Sequence, residues 1–170
     1  SESLLERAKE KAKTQHLQID FQKPDARKLP FKHEYDLAIM LCEGVFPLME
    51  TDEMNYEILR NAANSLKATG KLIFTTLNGL FPLFHSVEEF CAATTEEENA
   101  TSSKNTFDLM TFRDFNSTTV EDDFGKKKEL ECNERYYVPS EITWLLKSLD
   151  SICIVVSRNK LFVLIGIQLG

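Results

Sequence analysis

The chain lacks three features that would each have pointed to a function: Cys-x-x-Cys spacing, glycines two positions apart, and an apolar run of membrane length. Its four cysteines, Cys42, Cys91, Cys132 and Cys153, are scattered, which excludes the common zinc and thioredoxin patterns. They are expected to be reduced thiols of a cytoplasmic protein. His16, His33 and His85 stand in no i, i+4 relation, so a helical metal pair is not on offer and no metal site is expected. The longest apolar run, Leu161 to Ile167, falls far short of the ~20 residues a membrane helix needs. Basic clusters are scarce too. A net charge of -7 and a pI near 5.1 argue against a nucleic-acid partner, whose phosphates demand clustered Lys and Arg. The one cationic run, Lys126 to Lys128, follows Glu121 to Asp123 across Gly125 and reads as a solvated hairpin tip. Tyr-x-x-x-Lys, which a short-chain dehydrogenase would need, is missing: Tyr35, Tyr56, Tyr136 and Tyr137 are followed at that spacing by Ile39, Arg60, Ser140 and Glu141.

What remains is a globular composition. With 170 residues, 42% of them hydrophobic and 28% charged, the chain fits one domain able to bury a real core. Ser3-Leu4-Leu5-Glu6 has the form of a capping box opening an amphipathic helix with Leu4, Leu5, Ala8 and Ala12 on one face. Leu17, Ile19 and Phe21 alternate with polar residues and predict a short strand that Pro24 ends. Leu37 to Leu41 is a buried strand. Thr51 caps a helix whose stripe is Ile58, Leu59, Ala62, Ala63 and Leu66, and Gly70 stops it before a strand from Leu72 to Leu77.

After Gly79 the character changes. An aromatic segment, expected to be helical after Pro82, precedes a Thr/Glu/Ser/Asn-rich stretch from Ala92 to Asn105 that predicts a mobile loop. Phe107 to Thr119 and Lys127 to Val138 predict a long hairpin. Pro139 opens a helix carrying Ile142, Leu145, Leu146 and Leu149, and two apolar strands, Ile152 to Val156 and Leu161 to Leu169, close the chain.

The most informative stretch is Asp25-Ala26-Arg27-Lys28-Leu29-Pro30-Phe31 followed by Glu34-Tyr35-Asp36-Leu37-Ala38-Ile39-Met40-Leu41-Cys42-Glu43-Gly44. An acidic turn and then a strand with few polar side chains describe adjacent βα units of a parallel sheet, whose ligand crevice lies at the strand carboxyl ends. This stretch resembles the middle of a class I S-adenosylmethionine-dependent methyltransferase, the Rossmann-like kind that acts on small molecules. In that family an Asp-Ala pair closes the third strand and touches adenine, and a Phe/Tyr-Asp followed by apolar residues forms the fourth. Leu66-Lys67-Ala68-Thr69-Gly70, Lys71-Leu72-Ile73-Phe74 and Asn78 parallel the family's turn and fifth strand.

The resemblance implies an α/β fold with a mostly parallel sheet, an antiparallel C-terminal strand pair and a β-hairpin insert. Residues 1–78 and 139–170 would be core, and 79–138 a substrate-side insert. It also implies S-adenosyl-L-methionine as cofactor and a small-molecule methyl acceptor. The family's glycine-rich loop has no counterpart, because the glycines stand at 44, 70, 79, 125, 166 and 170. The chain is therefore read as the C-terminal part of such a domain, without its first two strands, expected to bind cofactor weakly alone. The alternative is an inactive remnant that binds a partner or assembles with itself. Without those strands, Leu37 to Leu41 would be an apolar edge inviting self-association.

For the cofactor, the resemblance assigns Asp25 to the adenine amine and Ala26, through its N–H, to the ring. Leu41, Cys42 and Glu43 would face the methionine half, with Phe46 beside them. Plainer roles stand against each: a turn cap for Asp25, and for the others core packing, an inert thiol or a solvent-facing acid. Asn78, at the end of the fifth strand, and Arg135, Tyr136 and Tyr137, at the return of the hairpin, are candidates for meeting substrate. His85 is a candidate base near neutral pH. No catalytic residue is assigned.

Overall fold

A computed structural model describes residues 2–41, 46–84, 102–121, 125–149, 151–158 and 162–169, with side chains undescribed for 102–104 and for the last two segments. The first helix, α1 (Glu2–Thr14), starts before Ser3, so that serine lies within the helix and not at its cap. Of the face expected to be buried, only Ala12 is; Leu4 is exposed.

The strand expected over Leu17 to Phe21 does not form. This segment carries no regular structure, and Leu17 and Ile19 are exposed. Alternation marks residues able to sit on a pleated surface, but a strand also needs a neighbour for its backbone, and no described strand pairs with this one. A single 3-10 turn, Ala26–Lys28, follows.

The expected parallel pair does form, but its first strand, expected to be buried, leaves Leu37 and Ile39 exposed. β1 (Tyr35–Met40) lies parallel to β2 (Leu66–Leu77), with Leu37 opposite Lys71 and Met40 opposite Phe74, and α2 (Asp52–Ser65) is the crossover between them. Thr51 caps α2, its hydroxyl accepting from the Met54 N–H at 3.3 Å. α2 ends at Ser65, and Leu66 to Gly70, expected as its last turn, already belong to β2. Gly70 acts by its smallness: a Cβ there would stand 2.9 Å from Leu66 Cβ and from the Lys67 carbonyl, and 3.1 Å from the Tyr35 carbonyl.

β2 continues into an antiparallel β7 (Phe162–Leu169) and then β6 (Ser151–Arg158), giving the order β1-β2-β7-β6. The expected antiparallel C-terminal strand pair thus extends the sheet beyond β2. α4 (Pro139–Lys147) follows the insert as expected, its Glu141 carboxylate accepting from the Val138 N–H at 2.8 Å. Ile58, Leu59 and Ala62 of α2, Leu72 and Phe74 of β2, and Ile142 and Leu146 of α4 make the core on one face of the sheet.

The insert forms a second, antiparallel sheet of three strands, β3 (Ser102–Asp108), β4 (Arg113–Glu121) and β5 (Lys127–Arg135), in that order. β4 and β5 are the expected hairpin. β3 lies partly where a mobile loop was expected: its polar sequence is paired along its whole length with β4. Of the aromatic segment, the described part is one helical turn, α3 (Phe81–Phe84). The rest, with His85 and most of the expected loop, lies outside the described residues, as does the hairpin tip at 122–124.

Candidate crevice at the strand ends

β1 and β2 bring their carboxyl ends to one edge, β1 ending at Met40 opposite Phe74 while β2 runs three residues further to Leu77, with Asn78 after it. Leu41 is exposed there. Cys42 and Glu43 lie outside the described residues. The 3-10 turn packs beside α2, where the Asn61 amide donates to the Arg27 carbonyl at 2.9 Å, and Ala26 packs against the main core.

Asp25 fills the role of turn cap: one carboxylate oxygen accepts from the Arg27 N–H at 2.9 Å. The Arg27 guanidinium grips the same group, Nη2 to Oδ2 at 2.8 Å and Nε to Oδ1 at 3.0 Å. These side-chain and backbone bonds hold the Asp25 pKa at about 2, so the group is anionic at neutral pH. A carboxylate has about four lone-pair sites, and Arg27 alone makes four contacts to this one.

Phe46 is only 2% exposed and lies between two other rings, stacked on Tyr137 at 4.8 Å and edge-on to Phe74 at 5.7 Å. In this structure it packs, and it offers no open ring face to a cofactor. Tyr136 and Tyr137 are likewise enclosed. Burial raises the Tyr137 hydroxyl pKa, and that hydroxyl accepts from the Asn55 amide at 3.0 Å. Asn78 is half-buried, and its side-chain oxygen accepts from the Leu80 N–H at 3.1 Å, closing the turn after β2.

Arg135 belongs to a junction that sequence reasoning did not reveal. Asp52, first residue of α2, accepts from Arg113 at 2.6 Å and from Arg135 at 3.3 Å. Arg135 also donates to Glu141 at 2.6 Å and to the Tyr136 carbonyl. Arg113 donates to the Met49 carbonyl at 2.9 Å and to Asn133 at 3.0 Å. The fully buried Asn55 accepts from the Met49 N–H at 3.0 Å. Backbone ties continue the join: Gly79 N–H to the Tyr137 carbonyl at 3.0 Å, Arg135 N–H to the Pro47 carbonyl at 3.1 Å, and Tyr136 N–H to the Phe112 carbonyl at 2.8 Å. Gly79 is needed where these strands crowd, since a Cβ there would meet Phe112, Val138 and the Tyr136 carbonyl at 3.1 to 3.2 Å.

Of the residues expected to meet a cofactor, Asp25 is anionic and caps its turn, Ala26 packs against the core, and Leu41 is exposed after β1. No glycine pair in the sequence offers a close backbone approach to a cofactor. Among the described residues no trio of His, Cys, Asp or Glu is placed to hold a metal ion, and no helix is long and apolar enough to cross a membrane.

Residues 1–74 match the family model of a methyltransferase domain. No curated protein sequence matches the chain. Solved structures similar to it include an S-adenosylmethionine-dependent methyltransferase from Clostridium acetobutylicum, 18% identical, with all of this chain and 72% of that one covered at a TM-score of 0.71. The CcbJ methyltransferase of Streptomyces caelestis is 14% identical over all of this chain and 77% of its own, also at 0.71. CalS10 of Micromonospora echinaspora, an amino pentose methyltransferase solved with S-adenosylmethionine bound, is 12% identical over 84% of this chain and 62% of its own, at 0.50. The fold is the Rossmann-like α/β fold of these enzymes, and the resemblance to class I S-adenosylmethionine-dependent methyltransferases holds in both family model and architecture.

Proposed function

We propose that the chain is a methyltransferase domain that takes S-adenosylmethionine at the carboxyl edge of β1 and β2 and transfers its methyl group to a small molecule. The observation that carries this reading is the parallel β1–β2 pair, with the capped Asp25 turn ahead of it and the antiparallel β7–β6 pair behind. That CalS10 is an amino pentose methyltransferase supports a small-molecule acceptor. When bound, the cofactor supplies an electrophilic methyl on a sulfonium. The protein's own part is to hold the acceptor in line in a dry cavity, which proximity alone can make effective.

Asp25 and Ala26 would hold the adenine, Leu41, Cys42 and Glu43 the methionine half. Asn78 alone of the four substrate candidates keeps partial exposure at this edge. Arg135, Tyr136 and Tyr137 would act through the junction, by holding the insert against the crevice. Because the sequence carries no closely spaced glycines to bring backbone against the cofactor, binding by this chain alone should be weak. Loss of two or three ligand hydrogen bonds at ~1 kcal/mol each moves a micromolar site to about 0.1 mM.

Titration calorimetry with S-adenosylmethionine tests the reading, with Asp25→Ala expected to weaken binding further. Micromolar affinity would overturn the weak-binding argument, and unchanged affinity in the variant would overturn the adenine assignment. Complete absence of binding would favour a second reading, a non-catalytic module that assembles with itself. The exposed edge at Leu37 and Ile39, 46% and 55% exposed, is the observation on that side.

A further inference from the structure

The two faces of the insert sheet differ. Side chains directly opposite each other in an antiparallel pair share a face, so pairing sets Phe107, Asp114 and Glu134 on one side and Thr106, Phe115 and Asn133 on the other, with Arg113 and Arg135 two residues further along that second side. On the first side Phe107 and Asp114 are buried, and burial raises the Asp114 pKa to about 6. On the second, Phe115 is 44% exposed, and its ring pairs with no other ring among the described residues.

This open side stands against the segment that joins β1 to α2. Between them lies a cleft of about 620 Å3, walled by Leu48 and Glu50 of that segment and by Thr106, Phe115, Glu131 and Asn133 of the insert. Such a volume suits a small organic molecule. The two walls are tied to each other. Leu48 sits between Pro47, whose carbonyl accepts from the Arg135 N–H at 3.1 Å, and Met49, whose carbonyl accepts from Arg113 at 2.9 Å. Arg113 also donates to the Asn133 side-chain oxygen at 3.0 Å, which leaves that amide's N–H groups without a partner among the described residues. A cleft already held in shape spares a ligand the cost of ordering it.

The charge of the walls narrows the occupant. Glu50 and Glu131 line the cleft, and no described Lys or Arg side chain does. Arg113, which adjoins it, is engaged by Asp52, the Met49 carbonyl and Asn133. An anion would be repelled here, and a wholly apolar molecule would strip water from a carboxylate and an amide without replacing it. We infer that this cleft binds a small organic cation, its apolar body against Leu48 and its ammonium group between the Phe115 ring face and the Glu131 carboxylate. A cation so placed is attracted by the ring's quadrupole and by the carboxylate together. The Asn133 amide and the Thr106 hydroxyl remain for an oxygen of the same molecule. The inference deepens the proposed methyltransferase function, and rests on it only in taking that cation as the methyl acceptor.

The test is an amide-resolved NMR titration of the full chain with tryptamine, tryptophol and indole-3-acetate, which share one ring system and are respectively cationic, neutral and anionic near neutral pH. Tryptamine should shift the resonances of Leu48, Phe115 and Asn133. Tryptophol should bind about tenfold more weakly, and indole-3-acetate should leave those resonances where they are. Phe115→Ala and Glu131→Gln, both at exposed positions, should each cut tryptamine affinity by about fivefold, and a thermal melt checks that each variant is folded. The inference is wrong if tryptophol or indole-3-acetate binds as tightly as tryptamine, if tryptamine shifts no resonance of this cleft, or if either variant leaves its affinity unchanged. The titration runs without S-adenosylmethionine, so failure of cofactor binding in calorimetry and failure of amine binding here are separate results.

Discussion

Replacing Asp52 with alanine removes the shared acceptor of two arginines whose side chains are each 8% exposed, although Asp52 itself is 52% exposed. Arg113 keeps the Met49 carbonyl and Asn133, and Arg135 keeps Glu141 and the Tyr136 carbonyl, so neither cation is left bare. Removing one partner of a fully buried pair costs ~3 to 5 kcal/mol, whereas an exposed pair is worth ~0 to 1. Solvent at Asp52 puts this site between those limits. Asp52 also lies in the first turn of α2, where a carboxylate adds ~0.3 to 1 kcal/mol against the helix dipole. The expected loss is therefore about 2 kcal/mol. In a chain of this size that lowers Tm by roughly 4 to 8 °C. Asp52→Asn keeps an acceptor while dropping the charge and should lose about half as much. Chemical denaturation of both variants, alongside Arg113→Met and the double variant, isolates the coupling. A loss under about 0.5 kcal/mol in Asp52→Ala, or full additivity in the cycle, would show that the insert is held without this junction.

Leu59 is fully buried between α2 and the sheet, so Leu59→Ala should cost ~2 to 5 kcal/mol by denaturant melt, and a smaller loss would mean the core collapses around the gap. Asp114 has a folded pKa of about 6 against an ordinary 3.8, so the native state holds its proton longer than the unfolded chain. Its effect on stability is therefore absent below about pH 4, grows more unfavourable as pH rises to about 6, and is constant above that. Asp114→Asn should gain on the native protein across that window, and parallel pH–stability curves would refute the burial argument. Sedimentation of the purified chain at micromolar concentration should show self-association through β1, whose described partner is β2 alone. A well-folded monomer with that edge in water would prove the expectation wrong.

What could be read in advance followed from local chemistry. An apolar run with few polar side chains gave β1, Pro139 gave the start of α4, and two alternating stretches around a turn gave β4 and β5. Periodicity failed where partners decide. Leu17 to Phe21 alternates as well as a strand does yet has no described neighbour, whereas Ser102 to Asp108, too polar to be predicted, is a strand because β4 supplies its hydrogen bonds. The site divides the same way. Asp25 was recognisable from its place in a turn, but that Arg27 would clasp both its oxygens was not. Arg135, Tyr136 and Tyr137 were singled out for their position at the return of the hairpin, but that all three would be buried there was not legible. The junction of Asp52, Asn55 and Arg113 went unnoticed because the bonds that join it, Asp52 to Arg113 and Arg135 and Asn55 to Tyr137, span 61 to 83 residues.

The seam where Asn78 runs alongside Tyr137 limits how the molecule can move. Backbone bonds cross it from Gly79 to Tyr137, from Tyr137 to Leu77 and from Arg135 to Pro47, beside the clasp of Asp52 on two guanidinium groups. A flap swinging open to admit a ligand would have to break these together, and nothing at the seam resembles a loose hinge. The three-stranded insert therefore behaves as a fixed buttress to the strand ends. The insert and the start of α2 are tied at the same aspartate, so a displacement of one carries the other with it.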